Sequence, residues 1–176
     1  MEEPRARGMS LWLMPAGDAH DRLARLIVSL AARFSTPPFP PHVTLLAGIE
    51  GRPEDEALGV SRVLAAALPP LFLRLLTVDG RAEPFRCLFA PAEASAPLLA
   101  AHATAARAFG REPDPGFLPH LSLVYGALPE PTKRALAAEV ADLVARSFPA
   151  ARLHAWRTEG RVGDWRELGT FELGGT

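Results

Sequence analysis

Apolar and polar residues follow patterns along the first half of the chain that predict three strands separated by two helices. Residues 9–14 form a short apolar run typical of a buried strand, and apolar residues then recur at helical spacing up to residue 34. Prolines at 37, 38, 40 and 41 cannot continue that helix. The apolar and β-branched run at 42–49 predicts the next strand, and the last two elements are a helix at 53–67 and a strand at 71–78.

The second half of the chain repeats this order. It contains a predicted strand at 85–90, a helix at 95–109, a strand at 120–126, a helix from 131, and strands at 152–157 and 165–173. The local match is closest around two histidines, where Phe-Pro-Pro-His-Val-Thr-Leu aligns with Phe-Leu-Pro-His-Leu-Ser-Leu. His42 and His120 are 78 residues apart, as are Pro53 and Pro131. The chain is therefore predicted to be internally duplicated.

The duplication predicts an α+β fold with two pseudo-symmetric lobes inside one domain that spans residues 1–176. The lobes are expected at about 9–80 and 84–173, each with an antiparallel sheet whose outer face is covered by helices, and with a central cleft between them. On each repeated strand the histidine shares a face with a hydroxyl two residues further on, because alternate side chains point the same way. These two pairs, His42 with Thr44 and His120 with Ser122, are expected to face each other across the cleft.

Composition and charge narrow the class of partner. The chain has 176 residues, 48% of them hydrophobic, and a net charge of −1, so it is typical of a globular protein and offers no positive field to a long nucleic acid. A small anionic ligand is compatible with this charge. Cys87 is the single cysteine, which excludes an internal disulfide and favours a reducing compartment, so we expect a cytoplasmic protein. A monomer is expected as well. No signal peptide and no membrane-spanning stretch are expected from the apolar runs.

Two imidazoles on opposite sides of one cleft suit the cleavage of a phosphodiester. A neutral histidine can take a proton from the attacking water while a protonated one gives a proton to the departing oxygen, and each transfer is worth roughly 10²- to 10⁴-fold in rate. The hydroxyls of Thr44 and Ser122 can stabilise charge on the phosphate oxygens. No Asp, Glu or Cys stands at ligand spacing from either histidine, so neither a metal nor another cofactor is expected. These residues alone do not decide which histidine is the base.

The paired His-x-Thr and His-x-Ser motifs resemble those of the two-histidine (2H) phosphoesterase superfamily, over nearly the whole chain. Leu-Trp-Leu-Met-Pro around Trp12 and Pro-His-Leu-Ser-Leu-Val-Tyr-Gly around His120 resemble the small cyclic phosphodiesterases in particular. The resemblance implies hydrolysis, without a metal, of a nucleoside 2',3'-cyclic phosphate to the 2'-phosphate and/or of ADP-ribose 1'',2''-cyclic phosphate. It also implies that His120 activates water, that His42 protonates the leaving oxygen, and that Thr44 and Ser122 bind the phosphate.

Aromatic residues near the motifs are further candidates for contact with the substrate. The family resemblance suggests that Trp12 and Tyr125 lie near the base or ribose, although Trp12 is equally expected as a core residue. Strict alternation places Tyr125 opposite His120 unless the strand bends before Gly126. Phe85 lies in the matching strand of the second lobe, where it would flank a base or fill the core.

Two other functions are compatible with the same motifs. A member of the superfamily with a larger substrate would act on RNA ends, as a cyclic phosphodiesterase or a 2'-5' RNA ligase-like protein, but the net charge of −1 argues against the tracking of RNA. A nucleotide-binding sensor would contact phosphate through the histidines without turnover, and the retention of both motifs argues against it. The expected partner is therefore a small nucleotide cyclic phosphate rather than extended RNA.

Overall fold

The structure is a computed structural model that describes residues 4–144 and 146–174. Its helices are α1 (Gly17–Phe34), α2 (Glu54–Ala67), α3 (Ala96–Ala108) and α4 (Glu130–Val140). Its strands are β1 (Arg5–Ala6), β2 (Met9–Leu13), β3 (Val43–Ile49), β4 (Leu71–Arg74), β5 (Leu88–Pro91), β6 (His120–Val124), β7 (Ser147–Ala150), β8 (Arg152–Arg157), β9 (Gly160–Arg161) and β10 (Arg166–Glu172). Short 3₁₀ turns cover Pro84–Arg86 and Val162–Asp164. Within the described residues no helix has the length and apolar character needed to cross a membrane.

Two strands of the structure differ most from the sequence prediction. The strand expected at 71–78 ends at Arg74. The strand expected at 85–90 is divided between a 3₁₀ turn and β5, so the prediction of Phe85 as a strand residue is wrong. Pro84 explains the second difference, because proline favours the first position of a helical turn and has no N–H to donate to a sheet.

A six-stranded antiparallel sheet forms the centre of the fold, with the strand order β10-β8-β2-β3-β6-β5. The two repeated motifs lie at its middle strands, β3 and β6, which meet at the register pair of Val43 with Leu121. The predicted α+β class with antiparallel strands is confirmed. The two halves of the sheet are continuous through this central seam, and the repeated motifs are neighbours there.

The outer strands of each half come from parts of the chain that the simple duplication does not suggest. Strands β8 and β10, near the C-terminus, complete the half that contains β2. The stretch after β4 forms bridges with β5, through Asp79 with Phe89, and with the residue that follows β5, through Leu75 with Ala92. In both places a segment from the other half of the chain supplies hydrogen-bond partners to the backbone of a strand that would otherwise be an edge of the sheet. The halves of the sheet therefore do not correspond to the consecutive stretches 9–80 and 84–173.

Helices cover one face of the sheet and leave the other face open. Helix α1 packs against β6, α3 packs against β3, and α2 packs against β8 and β10. Leu13, Leu45 and Leu121 of the sheet are fully buried, as are Leu23 and Ile27 of α1. Because side chains alternate along a strand, the hydroxyl and imidazole groups of the motifs point to the open face. The alternation that buries the core thus also positions the candidate site.

Gly8 precedes β2 in a left-handed conformation, with a φ of +64°, and an added Cβ would overlap the carbonyl oxygen of Ile49. Gly48 has the same φ of +64° but no heavy atom within 4 Å of its added Cβ. We expect Gly48→Ala to lower the free energy of unfolding by about 1–2 kcal/mol through backbone strain alone. Gly8→Ala is expected to lower it by about 1–3 kcal/mol more, because of the overlap. Urea denaturation followed by circular dichroism measures both values, and equal losses would contradict the role of the Ile49 contact.

Candidate active site

A cavity of about 210 Å³ lies on the open face of the sheet, across the seam between β3 and β6. All seven side chains that the sequence singled out line it: Trp12, His42, Thr44, Phe85, His120, Ser122 and Tyr125. The other described lining residues are Ala6, Ser10, Ala47, Arg86, Thr158 and Trp165. The fold therefore brings the two repeated motifs together at one site.

The two histidines of the motifs are held by equivalent hydrogen bonds. His42 Nδ1 lies 2.7 Å from the carbonyl oxygen of Pro40, and His120 Nδ1 lies 2.8 Å from the carbonyl oxygen of Leu118. A carbonyl oxygen can only accept, so each Nδ1 carries a proton and donates it. In the neutral imidazole this leaves Nε2 as the basic nitrogen. Both rings are thus fixed in the same tautomer, with Nε2 available for proton transfer.

Trp12 supports the His42 ring. The centroids of the two rings are 3.6 Å apart with an interplanar angle of 9°, and Trp156 stacks on Trp12 at 4.5 Å and 20°. Two rings at these distances must occupy opposite faces of the indole, so Trp12, which is 1% exposed, has no free face for a nucleobase. Phe89, the residue opposite Ser122 in the sheet, meets the other catalytic candidate, His120, edge-on at 5.3 Å.

Burial favours the neutral form of both histidines. It lowers the pKa of His42 from the ordinary 6.5 to about 3, against the effect of the backbone hydrogen bond and with a further lowering from nearby His120. Burial also lowers the pKa of His120, and the positive charges of Arg86 and Arg81 add to that lowering, whereas the backbone hydrogen bond and Glu83 oppose it. In the free site both imidazoles are therefore neutral near pH 7. An anionic ligand would raise both pKa values.

The two hydroxyls of the motifs are not equivalent. Ser122 Oγ donates a hydrogen bond of 2.8 Å to the carbonyl oxygen of Phe85, whereas the described part of the chain contains no hydrogen-bond partner for the Thr44 hydroxyl. An ionised phosphate oxygen only accepts, so Thr44 can donate to it directly, while Ser122 must first turn away from Phe85. The pseudo-symmetry of the site is broken at this point, and Thr44 is the better prepared phosphate ligand.

Tyr125 and Phe85 reach the cavity in ways that strict strand alternation does not predict. Strand β6 ends at Val124, so Tyr125 turns towards the side chains that it would otherwise oppose. Its ring stacks on Phe39 at 3.7 Å and 19°. Burial raises the pKa of the Tyr125 phenol, and a hydrogen bond with Ser122 opposes that effect. Phe85 enters from the 3₁₀ turn rather than from a strand.

Arg86 and Trp165 line the cavity although the sequence did not single them out. Arg86 is one of many arginines and belongs to no repeated motif. The ring centroid of Trp165 lies 5.9 Å from that of Tyr125 and 6.1 Å from that of Phe85. Neither residue has a counterpart in the other half of the duplication, so no signal in the sequence marks them.

Other histidines have structural partners away from the cavity. His102 Nδ1 donates to the carbonyl oxygen of Leu45 at 2.8 Å, and His102 Nε2 accepts from the N–H of Asp114 at 3.2 Å. His154 Nδ1 lies 2.7 Å from a carboxylate oxygen of Glu167. Within residues 4–144 and 146–174, no group of three or more His, Cys, Asp or Glu side chains is arranged to hold a metal ion.

The family of the chain follows from a comparison with known proteins. A family model described as the 2'-5' RNA ligase superfamily matches residues 13–161, which is most of the chain. The chain belongs to this superfamily. The assignment confirms the resemblance to the two-histidine phosphoesterases that the paired motifs indicated.

Individual relatives agree with this assignment. A cyclic phosphodiesterase of Arabidopsis thaliana is 28% identical over 137 residues, covering 76% of this chain and 74% of the plant protein. The crystal structure of TT0787 of Thermus thermophilus is similar with a TM-score of 0.63 at 18% identity, over 94% of this chain and 97% of that one. Escherichia coli LigT in its apo form is similar with a TM-score of 0.61 at 13% identity, over 97% of this chain and 99% of LigT. The solved structures establish the shared fold, and the family and the plant relative support phosphoesterase activity.

Proposed function

We propose that this protein is a metal-independent cyclic phosphodiesterase in which His42 and His120 act as a paired general acid and base on a ribose cyclic phosphate. One observation carries the proposal: two imidazoles with the same Nδ1 hydrogen bond to a backbone carbonyl line one cavity. The proposed substrate is a nucleoside 2',3'-cyclic phosphate, hydrolysed to the 2'-phosphate, and/or ADP-ribose 1'',2''-cyclic phosphate. The plant relative named cyclic phosphodiesterase supports this choice, as does LigT, which has been solved with ATP and with 3'-AMP.

The proposed reaction moves one proton at each imidazole. The base takes a proton from water as the water oxygen attacks phosphorus, and the acid gives a proton to the ribose 3' oxygen as its bond to phosphorus breaks. The product is a ribose 2'-phosphate with a free 3'-hydroxyl. The base leaves this cycle protonated and the acid neutral, and exchange with solvent restores both. Hydroxyl groups of Thr44 and Ser122 donate to the non-bridging oxygens, where charge accumulates.

The family resemblance and the free site assign the two proton-transfer roles differently. The resemblance implies that His120 is the base and His42 the acid. In the free site His42 remains neutral down to about pH 3, which favours His42 as the base and leaves His120 to carry the proton. A substrate with a good leaving group distinguishes the two orders, because its departure needs no general acid.

Identification of the reaction product tests the proposed function. We expect the purified protein, treated with EDTA, to convert adenosine 2',3'-cyclic phosphate to adenosine 2'-monophosphate, as followed by ³¹P NMR against standards of the 2' and 3' isomers. ADP-ribose 1'',2''-cyclic phosphate is tested in parallel. Tight binding of the cyclic phosphate without any product from either compound would contradict the enzymatic proposal and favour a nucleotide sensor.

An RNA-end phosphodiesterase or 2'-5' RNA ligase-like activity is a second candidate, since the family takes its name from RNA ligation. The net charge of −1 is unfavourable for a protein that neutralises many phosphates. Activity on an oligonucleotide that ends in a cyclic phosphate should therefore show little advantage over the mononucleotide. A preference for the oligonucleotide that falls steeply between 50 and 200 mM salt, roughly as expected for several phosphate contacts, would favour the RNA substrate.

A further inference from the structure

Residues 81–86 form a closed turn at the end of β6, which we term the arginine turn. The N–H of Arg81 donates to the carbonyl oxygen of Arg86 at 2.9 Å and closes the turn. The N–H of Gly126 donates to the carbonyl oxygen of Pro84 at 2.8 Å, which ties the turn to the segment that follows β6. The backbone of the arginine turn is therefore held in place before any ligand binds.

Two side chains anchor the same turn. The Ser122 hydroxyl donates to the carbonyl oxygen of Phe85, and Lys133 Nζ donates to the carbonyl oxygen of Arg81 at 3.0 Å. Lys133 is only 6% exposed and is also paired with Glu130 at 2.8 Å. A buried ammonium group with two partners is costly to displace. Three residues outside the arginine turn thus anchor it, namely Gly126, Ser122 and Lys133, and Ser122 belongs to the second motif.

Arg86 is the one formally charged side chain among the described residues that line the cavity. The catalytic candidates do not provide a fixed positive charge, because burial lowers the pKa of both His42 and His120. The remaining lining residues are neutral. An anionic phosphate that enters the cavity therefore meets one permanent cation, at the side of the site where His120 lies.

The guanidinium of Arg86 is oriented by one ion pair, which does not occupy all of its N–H donors. Its Nε lies 3.1 Å from a carboxylate oxygen of Glu83, within the arginine turn. Among the residues that the structure describes, the Arg86 guanidinium has no second hydrogen-bond or ion-pair partner. Arginine presents five N–H donors in a planar fork, so an ion pair through Nε leaves the terminal nitrogens available to a phosphate. Glu83 therefore orients the Arg86 side chain and leaves N–H donors available for a ligand.

We propose that Arg86 binds the phosphate of the substrate beside His120 and supplies the fixed positive charge of the site. This inference deepens the proposed function and rests on it for the identity of the phosphate. The anchored turn places the charge before the substrate arrives, so little conformational entropy is lost when the ion pair forms. The terminal N–H groups complement Thr44, whose hydroxyl is the other ready donor to the phosphate.

Arg86→Gln tests the inference in a binding experiment that needs no turnover. Adenosine 2'-monophosphate is the probe, adenosine is the neutral reference, and isothermal titration calorimetry measures both. We expect Arg86→Gln to weaken the binding of the monophosphate by about 10- to 100-fold, the range for loss of a charge-assisted hydrogen bond. Binding of adenosine should change by less than about 3-fold. Arg86→Lys, which keeps the charge without the planar fork, should lose less affinity for the monophosphate than Arg86→Gln.

Arg81→Gln is the matched control, because Arg81 also lowers the pKa of His120 but does not line the cavity. NMR titration should show a raised pKa of His120 in both glutamine variants, whereas only Arg86→Gln should lose affinity for the monophosphate. Equal affinity in the parent and Arg86→Gln would overturn the inference, and so would equal losses in both glutamine variants. If the parent binds the monophosphate through Arg86 but hydrolyses no cyclic phosphate, the proposed function fails and the inference stands.

Discussion

Replacement of either His42 or His120 by alanine is expected to lower kcat for adenosine 2',3'-cyclic phosphate by about 10²- to 10⁴-fold, because each variant loses one proton transfer. The double variant should be little slower than the slower single variant, because the rate losses from removing an acid and a base that act in one step do not add. Initial rates of product formation, measured by chromatography, give kcat for each variant.

The control for these variants is His154→Ala, which removes a partly buried imidazole that pairs with Glu167 and does not line the cavity. It should keep kcat within about 3-fold of the parent, and circular dichroism should show that all the variants are folded. Parent-like turnover in both His42→Ala and His120→Ala would contradict the assigned chemistry. A loss of equal size in His154→Ala would indicate a general effect on the fold instead.

The second large effect is a fall in kcat/KM as the pH is raised. Catalysis needs one neutral and one protonated imidazole, and kcat/KM reports the pKa values of the free enzyme. Because the pKa of His120 is lowered below 6.5, its protonated form is already lost as the pH rises through neutrality. The neutral form of His42 persists down to about pH 3. We therefore expect an acid optimum, with a fall of roughly 100-fold between pH 6.5 and 8.5, since each pH unit above the pKa costs about tenfold.

A diester with a p-nitrophenolate leaving group assigns the two histidines. The variant that has lost the general acid should regain most of its rate on this substrate, because p-nitrophenolate departs without a proton. The variant that has lost the base should not. Recovery in His120→Ala would agree with the electrostatics of the free site, and recovery in His42→Ala with the family resemblance.

A kcat/KM plateau that extends to pH 8.5 in the parent would contradict the lowered pKa of the acid.

The duplicated motif is the part of the site that the sequence predicts best. The period of a strand places each histidine and its hydroxyl on one face, and the repeat brings the two pairs to one seam. His42, Thr44, His120 and Ser122 line one cavity for this reason. The sequence does not predict that the Ser122 hydroxyl has a hydrogen-bond partner while the Thr44 hydroxyl is available. This difference depends on the carbonyl oxygen of Phe85, which reaches Ser122 through a turn rather than through the strand pattern.

The parts that the sequence does not predict depend on contacts between distant segments. The outer segments of each half of the sheet come from the other half of the chain, and this pairing depends on which sheet edges need hydrogen-bond partners. The local periodicity of the sequence contains no information about those edges. Tyr125 enters the cavity because β6 ends one residue earlier, at Val124. Arg86 lies there because Gly126 and Lys133 anchor its turn. The sequence is compatible with Trp12 as a ligand contact or as a core residue, and its stacking on both faces favours the second.

A crystal structure of the protein with adenosine 2'-monophosphate would show whether both imidazoles act on one phosphate, because it locates the phosphate relative to His42 and His120. We expect Nε2 of His42 and Nε2 of His120 both to lie within about 3 Å of phosphate oxygens, with each Nδ1 still donating to its backbone carbonyl. A phosphate bound outside the cavity, or one that contacts a single imidazole, would contradict paired acid–base catalysis by His42 and His120.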